Sequence, residues 1–313
     1  MSNPDQPYFP KTLQEAIVYF ADPERAFAFA VSLRWPDGVF CPFCQSAENS
    51  FISTRKLWKC KGCKKQFSVR VGTIFEDSPI GLDKWFVAIW MTANCKNGVS
   101  SYELHRAIGV TQKTAWFMLH RVRTAIKAKS FDKKLAGIVE ADETFIGGAL
   151  KNMHASKREK KGLGRRTSGP RAGKAIVMGV LERDGEVRAQ VIADLEPSIR
   201  RQFIRDNAER GAKLMTDEGA TLMTDFVHQF INHAEEYVRG NVHTQGIENF
   251  WSLLKRTLKG TYVSVEPYHL SAYVDEQAFR FNQRKSTDGE RFIRALAMIP
   301  SARLTYADLT RAE

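Results

Sequence analysis

Hydrophobic positions recur at helical spacing through the first part of the chain. Residues 13–34 form an amphipathic stretch, either one helix or a broken pair, with Ala and Phe along one side. A second helix, rich in large apolar residues, is predicted over 82–94. A short helix over 101–108 and a longer one over 111–129 follow, separated by a turn at Gly109. The last two helices have the proportions of a helix-turn-helix.

The second half of the chain changes to a mixture of strands and helices. The pattern predicts strands at 138–146, 175–181, 187–193, 214–216 and 237–242, and helices at 197–209, 221–233 and 246–258. Asp184-Gly185 predicts the tight turn of a hairpin between the second and third strands. This order of elements indicates an α/β fold in which helices pack on a mixed sheet.

Four of the five cysteines form two C-x2-C pairs with fifteen residues between them, Cys41 with Cys44 and Cys60 with Cys63. Four thiolates at this spacing can close a tetrahedral shell around a structural Zn²⁺ ion. Because so short a segment buries little apolar surface, bound zinc would supply its folding energy. The spacing disfavours the alternative of four unrelated buried cysteines. Cys95 stands apart on a predicted helix and is expected in the core.

Positive charge is large and clustered. The net charge is +12 and the isoelectric point about 9.5. Residues 51–70 contain seven Lys or Arg and no acid, and residues 151–174 contain nine against the single acid Glu159. Such clusters favour a polyanionic partner over solubility alone, because neutralised phosphates release condensed counterions. No secretory signal or membrane span is visible, so we expect a cytoplasmic protein.

The expected DNA contacts come from these two clusters and from two predicted helices. The residues are Lys56, Lys59, Lys61, Lys64 and Lys65 of the zinc segment, Gln112, Lys113 and Arg121 of the longer helix, Arg165 and Arg166 of the basic insert, and Lys255 and Arg256 of the last predicted helix. Trp58 and Phe67 are interleaved with the lysines of the zinc segment. A zinc ribbon of this kind is typical of a DNA-contacting module, although contact with protein is an alternative. The helix pair is also common as a plain packing unit.

Two acids stand at strand positions where carboxylates are unusual. In the strand 138–146, Glu140, Asp142 and Thr144 share one face by period two, so acids occupy a face that a core strand fills with apolar groups. Asp217 follows the strand 214–216, and its carboxylate is expected to project from the strand end. A turn former or helix cap is the simpler alternative for a single acid at such a place.

A third acid, Glu248, lies on the helix 246–258. At 100° per residue the apolar residues of this helix form one stripe, made of Ile247, Trp251, Leu254 and Leu258. Glu248 and Lys255 lie together at the edge of the stripe, whereas Asn249 faces away from the core. Because a catalytic acid must touch the sheet and still reach substrate, this geometry favours Glu248 over Asn249.

Together these motifs resemble a known family. They are the zinc ribbon, the helical region, Val-Glu-Ala-Asp-Glu-Thr-Phe-Ile-Gly-Gly, Thr-Asp-Glu-Gly, Ile-Glu-Asn-Phe-Trp-Ser-Leu-Leu-Lys-Arg and, near the end, Phe-Arg-Phe-Asn. In this order they resemble the bacterial insertion-sequence transposases of the fifteen-ninety-five (ISXO-two-like) group over nearly the whole chain. The resemblance implies a ribonuclease-H-like catalytic fold with a DDE triad followed by a lysine.

The resemblance also assigns roles to residues. It implies that Asp142, Asp217 and Glu248 bind two catalytic Mg²⁺ or Mn²⁺ ions, with Asp142 bridging them, and that Lys255 positions a DNA phosphate. Some members of the group use Asn as the third residue, so Asn249 stays open as an alternative to Glu248. The implied partners are double-stranded DNA, as terminal inverted repeats and target, and a second copy of the chain on DNA.

The predicted organisation has five regions: an N-terminal helical segment (1–38), a zinc ribbon (39–72), a helix-turn-helix-like region (80–130), a ribonuclease-H-like catalytic domain (136–285) with a basic insert (150–174), and a C-terminal tail (286–313). The predicted function is Mg²⁺-dependent DNA cleavage and strand transfer. Two alternatives are a ribonuclease-H-like nuclease without joining activity and a non-enzymatic DNA-binding regulator.

Overall fold

The computed structural model describes residues 9–126, 133–148, 150–160, 172–217, 223–230, 243–299 and 303–310. They form two compact units: unit 1 comprises the residues up to 127 and those from 283 onward, and unit 2 comprises residues 128–282. Among the described residues, no helix combines the length and the apolar character needed to cross a membrane.

Both units combine α-helices with β-strands. Numbered in chain order, the helices are α1 (Leu13–Phe20), α2 (Pro23–Arg34), α3 (Leu82–Asn94), α4 (Ser101–Ile108), α5 (Gln112–Ala125), α6 (Ala155–Lys160), α7 (Pro197–Asn207), α8 (Gln245–Arg256), α9 (Leu270–Asn282), α10 (Asp288–Ala297) and α11 (Tyr306–Thr310). The strands are β1 (Asn49–Ile52), β2 (Leu57–Cys60), β3 (Gln66–Phe67), β4 (Ile138–Ile146), β5 (Ala175–Glu182), β6 (Val187–Ile192), β7 (Lys213–Thr216) and β8 (Val227–Phe230).

Unit 1 is built around the apolar helix α3. The stretch 13–34 is a broken pair of helices, because Asp22 caps α2 through the amide of Glu24 at 2.8 Å and Pro23 occupies the first helical position. The α4–α5 pair has the predicted helix-turn-helix proportions. Its turn depends on Gly109, which ends α4 with a φ of 62°, a left-handed conformation that glycine adopts without strain.

The residues expected as a C-terminal tail belong to unit 1. The ring of Phe292 on α10 is fully buried, 4.9 Å from the ring of Trp90 on α3. Arg291 also donates to the side-chain oxygen of Asn94 at 2.9 Å. Residues 288–297, within the region 286–313 that was predicted as a C-terminal tail, therefore contribute to the core of this unit.

Unit 2 is a five-stranded mixed sheet in the order β6-β5-β4-β7-β8. The strands β4, β5 and β6 pair antiparallel, while β7 pairs parallel with both β4 and β8. Helices α8 and α9 bury one face of the sheet, and α7 packs on the other. This is the ribonuclease-H-like mixed sheet with flanking helices that we expected, and its β4 has the predicted bounds.

One predicted element of unit 2 is wrong. Residues 221–233 were expected to be helical, but 227–230 form the strand β8, whose Gln229 pairs with Met215 of β7. A four-residue strand at the sheet edge carries too short an alternating pattern to be told from part of a helix. The strand predicted at 237–242 lies outside the described residues. Helix α8 ends as predicted within two residues, and the chain continues as a π-helix over Thr257–Tyr262.

Candidate active site

Asp142 lies in the middle of β4, on the face covered by α8. Its Oδ2 accepts a hydrogen bond from the indole N–H of Trp251 on α8 at 2.9 Å. Burial raises the pKa of Asp142 to about 7, and the negative charge of Asp217 acts in the same direction. Glu143 is on the opposite face, where its carboxylate lies 3.5 Å from the guanidinium of Arg200. Of these two adjacent acids, Asp142 is the one turned toward α8.

The neighbouring strand makes room for the indole. Gly179 of β5 pairs with Asp142, and a Cβ added at Gly179 would lie 2.7 Å from the Cη2 and 2.9 Å from the Cζ2 atom of Trp251. Real Cβ atoms essentially never approach another heavy atom so closely. The missing side chain therefore allows the Trp251 ring to lie flat enough on β5 to reach Asp142.

Asp217 follows the last residue of β7, next to β4. The parallel pairing aligns Glu140 with Met215, so the register carried two residues further brings Asp217 beside Asp142. The effect of Asp217 on the pKa of Asp142 agrees with this proximity. On the other side, the hydroxyl of Thr216 lies 2.9 Å from Nε2 of His228 on β8, a residue that our sequence analysis missed by placing it in a helix.

Glu248 lies in the first turn of α8 and is exposed. Its Oε1 accepts a hydrogen bond from the buried hydroxyl of Thr244 at 2.8 Å. Asn249 is exposed as well, so exposure does not separate the two candidates. At 100° per residue, Glu248 and Lys255 lie roughly 60° and 40° around the helix from Trp251, which touches Asp142, whereas Asn249 lies about 160° away. Glu248 therefore stays the predicted third ligand and Asn249 the alternative.

The four predicted zinc ligands converge in unit 1. The sulfur atoms of Cys41, Cys44, Cys60 and Cys63 all lie within 4.8 Å of one another. In the part of the chain that the structure describes, this is the one set of three or more candidate ligand atoms so close together. A backbone N–H of Cys63 directed at the sulfur lowers the pKa of Cys60 to about 6, which favours the thiolate that binds metal. The quartet fits a zinc ion. Among the described residues, the carboxylate oxygens of unit 2 do not form a comparable set of ligand atoms within 4.8 Å of one another.

The aromatic residues of the zinc ribbon are structural. Trp58 and Phe67, which the sequence places among the lysines, are 7% and 1% exposed. The Trp58 ring stacks between Phe67 at 6.0 Å and Phe27 of α2 at 5.8 Å. These rings therefore hold the ribbon on α2 and are not available as contacts for a ligand.

The residues predicted to contact DNA differ in their exposure and in their side-chain partners. Lys59, Lys61, Lys64, Lys65, Lys113, Lys255 and Arg256 are exposed, as a DNA contact requires. Lys56 is paired with Glu24 at 2.5 Å, and Gln112 donates to the hydroxyl of Ser101 at 2.8 Å. Arg165 and Arg166 lie outside the described residues.

Arg121 corrects our expectation of a DNA contact. It is 6% exposed and donates to the backbone carbonyls of Ile74 at 2.8 Å and Glu76 at 2.7 Å. Its guanidinium thus fixes the loop before α3 against α5. The helical period placed Arg121 on α5 correctly but did not show that this loop would cover it.

Comparison with known protein families gives one match within each unit. Residues 134–282 match the family model described as ISXO2-like transposase domain, and residues 21–66 match the transposase zinc-ribbon domain. The second match begins just before α2, whose Phe27 packs on the ribbon. The chain is also 29% identical over 252 residues to an uncharacterized protein in transposable element ISH50 of Halobacterium salinarum, an alignment that covers 76% of this chain and 84% of that protein.

Proposed function

We propose that the chain binds the ends of an insertion sequence and catalyses divalent-metal-dependent DNA cleavage and strand transfer, because residues 134–282 match the ISXO2-like transposase domain and residues 21–66 match the transposase zinc-ribbon domain. The observation that carries the proposal is the parallel register of β4 and β7, which pairs Glu140 with Met215 and, continued by two residues, brings Asp217 beside Asp142. Two adjacent half-buried carboxylates repel each other, and a bound cation relieves that repulsion.

Asp142, Asp217 and Glu248 are the residues that would hold Mg²⁺ or Mn²⁺, since hard carboxylate oxygens suit these ions. When bound, the ions would supply Lewis-acid activation of the attacking hydroxyl and of the phosphate that it attacks. Trp251 donates to one oxygen of Asp142, and the backbone N–H of Glu143 donates to the other at 2.7 Å, so both contacts orient the carboxylate. Lys255 is exposed and follows Trp251 by four residues, about one turn along α8. It would neutralise a DNA phosphate.

The exposed lysines of the ribbon provide a second, sequence-independent grip on double-stranded DNA. Lys59, Lys61, Lys64 and Lys65 belong to a segment with no acidic residue between 51 and 70. Neutralising several phosphates makes affinity fall steeply with salt. We further propose that two copies of the chain act together on paired DNA ends; a monomer in light scattering with both ends present would contradict this.

The experiment for this function is a joining assay. Purified protein is mixed with a short DNA that carries the sequence flanking its gene and with a supercoiled target, in Mg²⁺ or in EDTA. We expect joined products in the Mg²⁺ reaction and none in the EDTA reaction. Cleavage without joining would replace the proposal with a nuclease, and DNA binding with neither reaction would replace it with a regulator.

Substitution of Gly179 by Ala tests the contact between Trp251 and Asp142. The new Cβ would overlap the indole, so the ring must shift and its hydrogen bond to Asp142 is lost. Overpacking of this kind costs about 1–3 kcal/mol of the free energy of unfolding. Loss of a residue that orients a metal ligand lowers activity by about 10–100-fold. The measurement is the joining rate together with the thermal midpoint.

The control for this variant is Gly260→Ala. A Cβ at Gly260 meets nothing within 4 Å, so the substitution changes the same residue type without overlap. We expect wild-type joining from Gly260→Ala. Wild-type joining from Gly179→Ala as well would show that the indole contact does not matter to Asp142.

A further inference from the structure

Glu140 is a fully buried acid on the same face of β4 as Asp142. It is 0% exposed, and both of its carboxylate oxygens are hydrogen-bonded. Oε1 accepts from Nε and Nη2 of Arg183 at 3.1 and 3.0 Å, and Oε2 accepts from the backbone amide of Ile247 in α8 at 3.0 Å. Burying a charge is costly unless it is paired and hydrogen-bonded, and Glu140 is both.

The partners of Glu140 lead to the beginning of α8. Arg183 also donates to the backbone carbonyl of His243 at 3.0 Å, so it holds the segment that enters the helix. Thr244, at the N-cap of α8, does not cap the helix with its side chain. Its hydroxyl donates to Glu248 instead. The free amides of a helix N-terminus need acceptors and favour negative charge, and Glu140 supplies both from the sheet.

The approach of α8 to Glu140 is close because position 246 has no side chain. A Cβ at Gly246 would lie 2.7 Å from Oε2 of Glu140 and 3.0 Å from a methyl group of Leu181. A side chain at this position would therefore displace the Glu140 carboxylate or move the first turn of α8 away from it. Two residues later the same turn carries Glu248, and two residues after Glu140 the same strand carries Asp142.

We propose that Glu140 is a positioning residue: it ties the first turn of α8 to β4 and thereby holds Glu248 in position relative to Asp142 for joint metal binding. The inference rests on the proposed function for the roles of Asp142 and Glu248. The tie itself, from Glu140 through Arg183 and the Ile247 amide, is independent of that function.

The test is Glu140→Gln, which keeps the shape of the side chain. Ile247 and Arg183 donate to different oxygens of Glu140, and in Gln one of these two oxygens becomes an NH₂ donor. One of the two partners then faces another donor, so we expect the first turn of α8 to loosen. Hydrogen exchange of the Ile247 amide should become faster. The Mg²⁺ concentration needed for half-maximal joining should rise about 10–100-fold, as for residues that orient metal ligands, with partial rescue by Mn²⁺.

The matched control is Arg188→Met. Arg188 is also buried and hydrogen-bonded to backbone carbonyls, those of Lys133 and Asn207, on the α7 side of the sheet. This variant should lower the thermal midpoint but leave Ile247 exchange and the Mg²⁺ requirement at wild-type values. A purely structural role for Glu140 predicts that Glu140→Gln behaves in the same way as Arg188→Met.

A second pair of variants serves if Glu140→Gln fails to fold. Gly246→Ala pushes the helix off the carboxylate, and Gly260→Ala is its control with open space around the new Cβ. Faster Ile247 exchange together with a raised Mg²⁺ requirement supports the proposal; no change in either quantity, or faster exchange alone, overturns it. Absence of joining by the wild-type protein would contradict the proposed function, while Ile247 exchange would still test the tie to Glu140.

Discussion

Asp142→Asn is expected to abolish strand cleavage and joining while making the metal-free protein more stable. The substitution removes the proposed bridging ligand, so we expect the joining rate to fall at least about 10³-fold, or ~4 kcal/mol of transition-state stabilisation. The Asn side chain keeps an oxygen that can accept from Trp251. DNA binding should therefore remain at the wild-type level, as measured by titration with labelled DNA.

The stability gain follows from the direction of the pKa shift. Because folding raises the pKa of Asp142 from 3.8 to about 7, the folded state binds more protons than the unfolded state between these values. Stability conferred by this group is thus full below pH 4 and is lost as the pH rises through 7. Without added Mg²⁺ at pH 8, removal of the charge should stabilise the protein by about 1–3 kcal/mol.

Thermal melts without added Mg²⁺ at pH 4.5 and pH 8 test this expectation. The gain of Asp142→Asn over wild type should be larger at pH 8 and should shrink when wild type binds Mg²⁺. A gain of the same size at both pH values would contradict burial of a charged carboxylate as its cause. Asn249→Ser is the matched control, since Asn249 is exposed on the far side of α8 and carries no charge.

The second large effect is expected from loss of a zinc ligand. Structural zinc sites contribute about 10–16 kcal/mol of binding free energy in small zinc-binding peptides, and this energy is folding energy. Cys44→Ser should therefore unfold the hairpin of β1 and β2, release the zinc and displace Trp58 from its place between Phe27 and Phe67. Binding to DNA should weaken, and its dependence on salt should become shallower, because the ribbon lysines no longer act together.

Zinc content per chain and the salt dependence of DNA affinity measure the two consequences. The fifth cysteine provides the control: Cys95 follows α3 and is not part of the quartet, so Cys95→Ser should keep its zinc and its affinity. Retention of zinc and full DNA affinity by Cys44→Ser would show that this cysteine is not a ligand.

Local patterns were sufficient where one face of an element is buried. Strand β4 was predicted with its observed bounds because its apolar and polar residues alternate, and the same alternation placed Glu140 and Asp142 on one face. The cysteine spacing predicted the ribbon because metal geometry permits few alternatives. The wheel of α8 favours Glu248 over Asn249 as the third acid, and that choice stays a prediction.

Properties that depend on tertiary neighbours were not predictable. Trp251 belongs to the apolar stripe of α8, and nothing in its spacing shows that its N–H meets a carboxylate more than a hundred residues earlier in the chain. Arg121 looked like a surface residue because its cover comes from a distant loop. The hydrogen bond between Arg183 and Glu140 forms only when β4, β5 and α8 pack together, so the sequence does not show it.

The central claim, that carboxylates of unit 2 bind the catalytic metal, is tested most directly by the metal dependence of Asp142→Cys. A thiolate ligand disfavours Mg²⁺, whereas the softer Mn²⁺ accepts sulfur more readily. The joining rate of Asp142→Cys is measured in each metal beside that of the wild type. Our account predicts no joining in Mg²⁺ and a measurable recovery in Mn²⁺. Joining by Asp142→Cys in Mg²⁺ at the wild-type rate would contradict it.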